Sequence, residues 1–584
     1  MTTDAPPSIP ALPAFKGPVY LRDGTEEYAA HAYQYATTSR PAEDMSPAVI
    51  VFVADDNDIT MAIEYARANN LGIAVRSGGH QYIGSSSTGG NNIQIDLSGR
   101  EAPDRTTTYP YSTTYPYRQW SVDTVEGSVT LGAGLNVDEV TDISMQHGIF
   151  FPHGECCGVH VGGHSQTGGF SVITRTFGVM IDYLLRFDII LPDGTKRTVT
   201  RPEPGQEVPD LWFAVLGGSP GNFGVVTSIT VQYLKDEDYP NARCFKSAWF
   251  FRAEALQEIV QIINELNDDP HRDPDFGLSV MALGAEYDEE TRWWSFLPKT
   301  WDEEMMEKYS YLTGTDQFHW VVPMIVVYGA WTNSKGPSQP DKHVEEVFER
   351  FREVGGRLPQ ELVNKLLPSS HLHNGEHPMA MSKIMKVLTF ENPREFNMSC
   401  KKLAWFGKNT HTMSQKRKEL GDLTFAEWVA KKVAKLESIM GMFEFWSLKA
   451  AIQVGMLGGP GLANPPIATA LAHRDCNYWF AFDIFYDPKV DGALEQTIEL
   501  TNAVAADVIN NNANLWEDGK ERRLILGPML VNEEQPVLDD MWDLYYDSEE
   551  DYQRLLTIKQ QLDPDHIFTP NLFCVGATSC PRFA

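Results

Sequence analysis

Residues 75–82 read VRSGGHQY: the end of an apolar run passes through Arg76 and Ser77 into paired glycines, Gly78 and Gly79, and a lone histidine, His80. Upstream, residues 48–54 (AVIVFVA) are apolar and short enough to make a buried strand. Residues 59–69 (ITMAIEYARAN) repeat their apolar positions at helical spacing, with Asp58 as the expected cap. Residues 71–75 then read as a second strand, which makes 76–80 the loop where a β-α-β unit turns over. Two glycines leave the backbone N–H groups of that loop uncovered and able to approach an anion such as a diphosphate. A tight turn with a structural histidine accounts for the same residues equally well.

A second segment bears on that choice. Residues 154–170 (GECCGVHVGGHSQTGGF) hold six glycines, two adjacent cysteines and two histidines. Zinc ligands usually sit two to four residues apart so that both sulfurs converge, and Cys156 and Cys157 are adjacent. No CxxC pair and no GxxxxGK[ST] loop occurs, so redox-dithiol and P-loop chemistry are set aside and no metal site is expected. A glycine-rich wall that closes on a flat ligand and carries one nucleophilic sulfur fits better.

Together the two segments resemble the bicovalent flavoproteins of the berberine bridge enzyme-like group, in the vanillyl-alcohol oxidase superfamily. The family's R-S-G-G-H signature carries a histidine bonded to the flavin 8α-methyl carbon, and the matching residue is His80. Its second signature, G-x-C-x-x-V-x-x-G-G-H, carries a cysteine bonded to flavin C6. Gly154, Cys156, Val159, Gly162, Gly163 and His164 match it position for position, which selects Cys156 over Cys157. The resemblance implies bicovalent FAD, lined by Arg76, Ser77, Gly78, Gly79, Gln81, Val159, Gly162, Gly163, His164, Gly168, Gly224 and Val226. In relatives the residue at Val159 gates oxygen and goes with oxidase behaviour. His164 resembles the family's flavin-contacting histidine, although a lone histidine is equally a satisfied core residue.

The likeness runs on through RTFGVMIDYL (175–184), a D-G turn at Gly194, DLWFAVLGGSPGNFGVVT (210–227), ATALAHRD (468–475) and the Tyr545–Tyr546 region to about residue 575. It implies an α+β fold: a PCMH-type FAD-binding domain of two α/β subdomains, and a substrate domain whose antiparallel sheet is covered by helices. The expected divisions are 1–238 (FAD domain), 239–517 (substrate domain) and 518–584 (return to the FAD domain). Trp-rich strands near 247–251, 292–296 and 319–327, and an amphipathic helix over 342–354, belong to the middle region. The repeated TTYPY at 107–111 and 113–117 reads as a variable, extended surface arm, favoured over a substrate lid.

Composition agrees with a large globular enzyme. The chain has 584 residues, 42% hydrophobic and 22% charged, more than one ordinary core accommodates. A formal charge of −31 argues against nucleic acid or anionic membranes as partners. No run is long enough to span a bilayer, and the proline-rich N-terminus lacks signal-peptide architecture, so a cytoplasmic location is favoured, with secretion not excluded. The single sequon at Asn397 adds little to the case for secretion. Seven cysteines without framework spacing suggest no disulfide scaffold.

The resemblance implies an FAD-dependent oxidase taking hydride from an alcohol, sugar or specialised metabolite and passing electrons to O2, which yields hydrogen peroxide. An oxidative cyclase and a flavin-binding protein without turnover are the alternatives. The catalytic base has no assignment: where many relatives carry Y-x-N, this chain has Leu530-Val531-Asn532. Glu533, Glu534 and Gln453 lie nearby or on the presumed substrate strand, and Tyr545 and Tyr546 read as structural. Substrate identity and oligomeric state are not legible.

Overall fold

The computed structural model describes residues 9–32, 34, 45–81, 85–99, 114–268, 273–283, 287–288, 293–294, 324–335, 342–358, 375, 377–389, 399–407, 416, 418–440, 448–486, 491–510, 522 and 537–583. The expected β-α-β unit opens it. After β1 (Val19–Leu21) and α1 (Glu26–Ala32) come the fully buried β2 (Val49–Phe52), α2 (Asp56–Ala68), β3 (Ile73–Arg76) and β4 (Ile93–Asp96). β2, β4 and β3 run parallel, with β1 antiparallel on the outer edge. Strands covered on both faces need no alternation, which is why β2 reads as an unbroken apolar run.

The cap of α2 differs from expectation. Asp55 is the N-cap, its side chain accepting from the N–H groups of Asn57 and Asp58. Asp58 instead lies in the first turn, fully buried, and accepts from the backbone N–H groups of Lys16 (2.9 Å), Gly17 (2.9 Å) and Ala54 (2.8 Å). Two acids three residues apart both suit a helix start, and only the docking of residues 15–17 separates their tasks.

Strands β5 (Trp120–Asp123), β6 (Ser128–Gly132), β7 (Ile149–Phe150), β8 (Leu184–Ile190), β9 (Lys196–Thr200), β10 (Val225–Gln232) and β11 (Leu234–Lys235) follow. Five form an antiparallel sheet in the order β5-β6-β10-β8-β9, and β7 pairs with β11. The D-G turn closes the β8–β9 hairpin as expected, with Gly194 at φ +82° and its N–H on Leu191 O. Helix α3 (Val137–His147) starts with a capping box between Asn136 and Glu139, and the single turn α4 (Val161–His164) carries the Gly162-Gly163-His164 motif.

The second TTYPY copy corrects the surface-arm expectation. Tyr117 is 4% exposed, and Tyr115 donates to Val53 O (2.5 Å) and Asp96 O (3.2 Å) at the ends of β2 and β4. A tyrosine ring buries well while its hydroxyl satisfies strand-end carbonyls, so the motif locks onto the first sheet. The first copy, 107–111, lies outside the described residues.

The last sheet comprises β12 (Arg243–Phe250), β13 (Phe276–Leu283), β16 (Met324–Trp331), β17 (Ser399–Gly407), β18 (Leu448–Met456) and β19 (Tyr478–Tyr486), while β14 (Tyr287–Asp288) and β15 (Trp293–Trp294) pair separately. It is antiparallel in the order β12-β16-β13-β18-β19-β17. One face is apolar: Phe245, Leu278, Val327, Val454 and Phe480 pack on Ile259, Phe348 and Val429 of helices Ala253–Asp268, Lys342–Glu353 and Phe425–Met440. The alternate positions face the other way and carry polar groups.

Long-range polar contacts clasp the motif segments together. Arg474 pairs with Asp182 at 2.8 Å, and Arg175 donates to Leu457 O and to Asn267 Oδ1. On helix Glu549–Leu562, the buried Lys559 ammonium joins Asp563 (2.7 Å), Asn222 O and Phe568 O. Tyr546 donates to Gly218 O at 2.5 Å, and Tyr545 packs edge-on against Phe573. Among the described residues no helix is long and apolar enough to cross a membrane.

Candidate functional site

The strand end at Arg76 and the segment 154–164 meet at their glycines. A Cβ on Gly78 would come within 2.5 Å of the His160 ring, and one on Gly162 within 2.4 Å of Ser77 Oγ. Gly79 takes φ +67°, a conformation that a side chain disfavours, and so turns the chain to present His80. The consequence is a contact across 76 residues of sequence: His80 Nε2 lies 3.3 Å from Cys156 Sγ. Both residues are partly exposed, as are Ser77, Gly78, Glu155, Cys157, Gly158 and Val159, while His153, Gly154, His160 and His164 are buried. Neither Cys156 nor Cys157 is in a disulfide.

The Arg76 side chain supports the loop from beneath it. It is 1% exposed, ion-paired through Nε with Asp96, and donates to His31 O (2.5 Å). The guanidinium thus anchors the strand end from below rather than reaching into the loop. Gly168 and Gly224 also have packing reasons. A Cβ on the first would meet the Phe170 ring at 2.9 Å, and one on the second would meet Ile190 O at 2.5 Å. Val226 is buried on β10 opposite Ile189, and Gln81 is buried after the loop.

His164 is 8% exposed and its Nε2 accepts from Gly154 N–H at 2.6 Å, which places its proton on Nδ1. Burial, with neighbouring His153, pushes it down to about 3; burial takes His153 to about 4. Both rings are therefore neutral at physiological pH. The carboxyl of Glu155 behaves oppositely: burial raises it to about 7, against the lowering effect of hydrogen bonds from Val172 N–H (2.8 Å) and Tyr328.

Tyr328 belongs to the polar face of the last sheet. Lys246 on β12 and Ser279 on β13 stand directly opposite it in register, and Met281 stands opposite Gln453 on β18. Gln453 donates to Asp483 of β19. Neither Glu155 nor Tyr328 was singled out by the sequence. Glu155 is the lone acid in a glycine-cysteine-histidine loop, a usable signal; Tyr328 lies in an apolar strand and offered none. Leu530, Asn532, Glu533 and Glu534 lie outside the described residues.

The cradle suits a large flat cofactor. Gly163 sits in α4 beside the partly exposed segment, and a Cβ there would meet nothing within 4 Å. The Ser165 hydroxyl, 1% exposed, has no hydrogen-bond partner among the described residues. Open space over a glycine, a buried hydroxyl and two converging nucleophiles are features that FAD would use. Among the described residues no three His, Cys, Asp or Glu side chains gather to hold a metal.

Residues 113–200 match the FAD binding domain family. The chain is 35% identical over 181 residues to the FAD-linked oxidoreductase ZEB1 of Gibberella zeae, covering 30% of this chain and 28% of that protein. It is 30% identical over 195 residues to berberine bridge enzyme-like 19 of Arabidopsis thaliana, covering 32% of this chain and 30% of the relative. The chain thus spans less than a third of the length of either relative. Among solved structures, 6-hydroxy-D-nicotine oxidase from Arthrobacter nicotinovorans aligns with a TM-score of 0.62 at 18% identity, over 96% of this chain and 98% of that one. Xylooligosaccharide oxidase from Myceliophthora thermophila aligns with a TM-score of 0.61 at 17% identity, over 96% and 97%. At such identities the likeness is one of fold.

Proposed function

We propose that this chain belongs with the berberine bridge enzyme-like proteins among the FAD-linked oxidoreductases and is an FAD-dependent oxidase with a doubly tethered flavin. The observation that carries the proposal is the 3.3 Å approach of His80 Nε2 to Cys156 Sγ. Two nucleophiles held that close can reach the same dimethylbenzenoid end of one ring system, His80 the 8α-methyl carbon and Cys156 C6. When bound, FAD supplies a two-electron acceptor for a C–H bond and returns the electrons to O2 as hydrogen peroxide.

The chain's own groups bind and orient. Ser77, Gly78 and Gly79 shape the loop under the cofactor, Gly163 leaves room for it, and Val159 sits where oxygen access is set. His164, fixed by Gly154 as the Nδ1–H tautomer, offers a neutral donor. The polar face of the last sheet forms the substrate wall, and small alcohols, sugars or specialised metabolites are the substrate class. The divisions at 238/239 and 517/518 belong to the same proposal. Acid-precipitated wild-type protein should keep its yellow colour, His80→Ala and Cys156→Ala should each retain FAD through one bond, and the double variant should release it. Wild type that loses its flavin in acid refutes double attachment. Hydrogen peroxide release in a substrate screen tests the oxidase assignment.

A further inference from the structure

The carboxylate beside Cys156 has a hydrogen-bond partner on the opposite wall, and the oxidation above leaves one requirement unmet: a group to take the substrate's proton. We propose that Glu155 and Tyr328 form the proton-accepting pair of this site, with Tyr328 as the group that meets the substrate and Glu155 as the final acceptor. This rests on the oxidase reading. Glu155 is bonded in sequence to Cys156, so their Cα atoms are about 3.8 Å apart and the carboxylate cannot stray far from the proposed attachment point. Val172 N–H holds one of its oxygens at 2.8 Å, and the Tyr328 hydroxyl joins it from the sheet. Tyr328 sits between Lys246 and Ser279 on the sheet's polar face, the one turned away from the covering helices, where it is 2% exposed.

The division of labour follows from the environment. Burial holds the Tyr328 phenol well above its ordinary range, so phenolate is not available as a base. Glu155, raised to about 7, is poised where a general base works best. The substrate hydroxyl gives its proton to the Tyr328 oxygen as the phenolic proton passes to the Glu155 carboxylate. FAD held by the His80 and Cys156 loops would supply the acceptor for the C–H hydrogen and its electron pair, so that the substrate would leave as a carbonyl product with its hydroxyl proton on Glu155. Titratable and charged groups around the pair are Lys246 from β12, Asp483 from β19, Cys156 and His80 on the loops, and His153 and His164 beyond Gly154.

The test uses holoenzyme with two readouts. In an infrared pH titration, the protonated-carboxyl band assigned by its loss in Glu155→Gln should disappear with a midpoint of about 7. In Tyr328→Phe the midpoint should rise, because the lost hydrogen bond favours the charged carboxylate. In the second readout, anaerobic bleaching by xylobiose, D-glucose or benzyl alcohol is followed per bound flavin from pH 5.5 to 8.5. Both variants should slow by about a hundredfold or more, with the pH dependence near 7 lost in Glu155→Gln and partly restored in Glu155→Asp. A carboxyl that titrates in the ordinary carboxylate range, or a Glu155→Gln flavin that bleaches nearly as fast as wild type at every pH, overturns the pair alone. Wild-type flavin that none of the three compounds bleaches removes the oxidase reading and the pair's role with it.

Discussion

The strand end that carries His80 is held by a charge with no access to water, and breaking that charge pair should be felt by both stability and flavin attachment. Arg76 and Asp96 have side chains 2% and 0% exposed. Asp96 also accepts from Ser98 N (2.8 Å) and Ser98 Oγ (2.5 Å), while Arg76 also donates to the carbonyls of His31 and Ala32 and has the Gln94 side-chain amide against its guanidinium. Asp96→Asn keeps the shape and an oxygen for Ser98 but leaves the guanidinium charge buried without its counter-ion. Such a loss costs about 3–5 kcal/mol. Removing both charges in Arg76→Met with Asp96→Asn leaves neutral acceptors such as the His31 and Ala32 carbonyls short of a donor, at about 1–3 kcal/mol for each group left unsatisfied. The double variant should therefore be the more stable of the two. Urea unfolding of holoenzyme reads this, taking the first cooperative transition because a chain of this size need not unfold in one step. Asp96→Asn should also leave a larger acid-extractable flavin fraction, since the base of the His80 loop loosens. A single variant within about 1 kcal/mol of wild type, smaller than any buried charge left unpaired should give, or a double variant less stable than the single, refutes the reasoning.

Two other outcomes follow from the same site. Gly163→Val should leave the apoprotein's melting temperature nearly unchanged, since a Cβ there meets no atom within 4 Å, yet abolish yellow colour by filling the cradle; a fully flavinylated variant shows that the open space is not the flavin's. The pH dependence of stability contains opposing parts. His153 and His164 are held below their ordinary 6.5, so stability falls as pH drops below 6.5, when the unfolded chain takes up protons that the native one refuses. Glu155 is raised from 4.5 to about 7, so its contribution is lost as pH rises through that range. Glu155→Gln removes the second effect, and the gain in stability from pH 4.5 to 6.5 should steepen by up to about 1.4 kcal/mol per pH unit. A slope equal to or shallower than wild type in urea titrations contradicts a neutral Glu155.

Much of the local fold was legible because it rests on near-neighbour patterns. β2, α2 and β3 fall within two or three residues of the expected spans, the D-G hairpin stands where its turn residues are, and the helix Lys342–Glu353 buries Val344, Val347, Phe348 and Phe351 at helical spacing. Such features need only the next turn or the next strand to form. The misreadings share one cause. Asp58 looked like a cap and the TTYPY repeat like an exposed arm because each was judged without its distant partner: Lys16 and Gly17, and the carbonyls of Val53 and Asp96.

By itself the sequence determined the pieces: a β-α-β unit ending in Arg76–His80, a glycine-rich segment with Cys156 and His164, and a family likeness built on their spacing. Those are statements about which residues occur at which separation, and covalent distance along the chain is enough to make them. What only the tertiary structure decided is which pieces meet. Chain closure brings Cys156 to His80 across 76 residues, and strand register sets Tyr328 between Lys246 and Ser279 on a face that Glu155 reaches from another layer. Burial is likewise a property of the assembled layers, and it moves Glu155 and His164 in opposite directions although they stand only nine positions apart. Desolvation penalises whichever form is charged, anion or cation, so chemical character at this site follows from packing that no local pattern records.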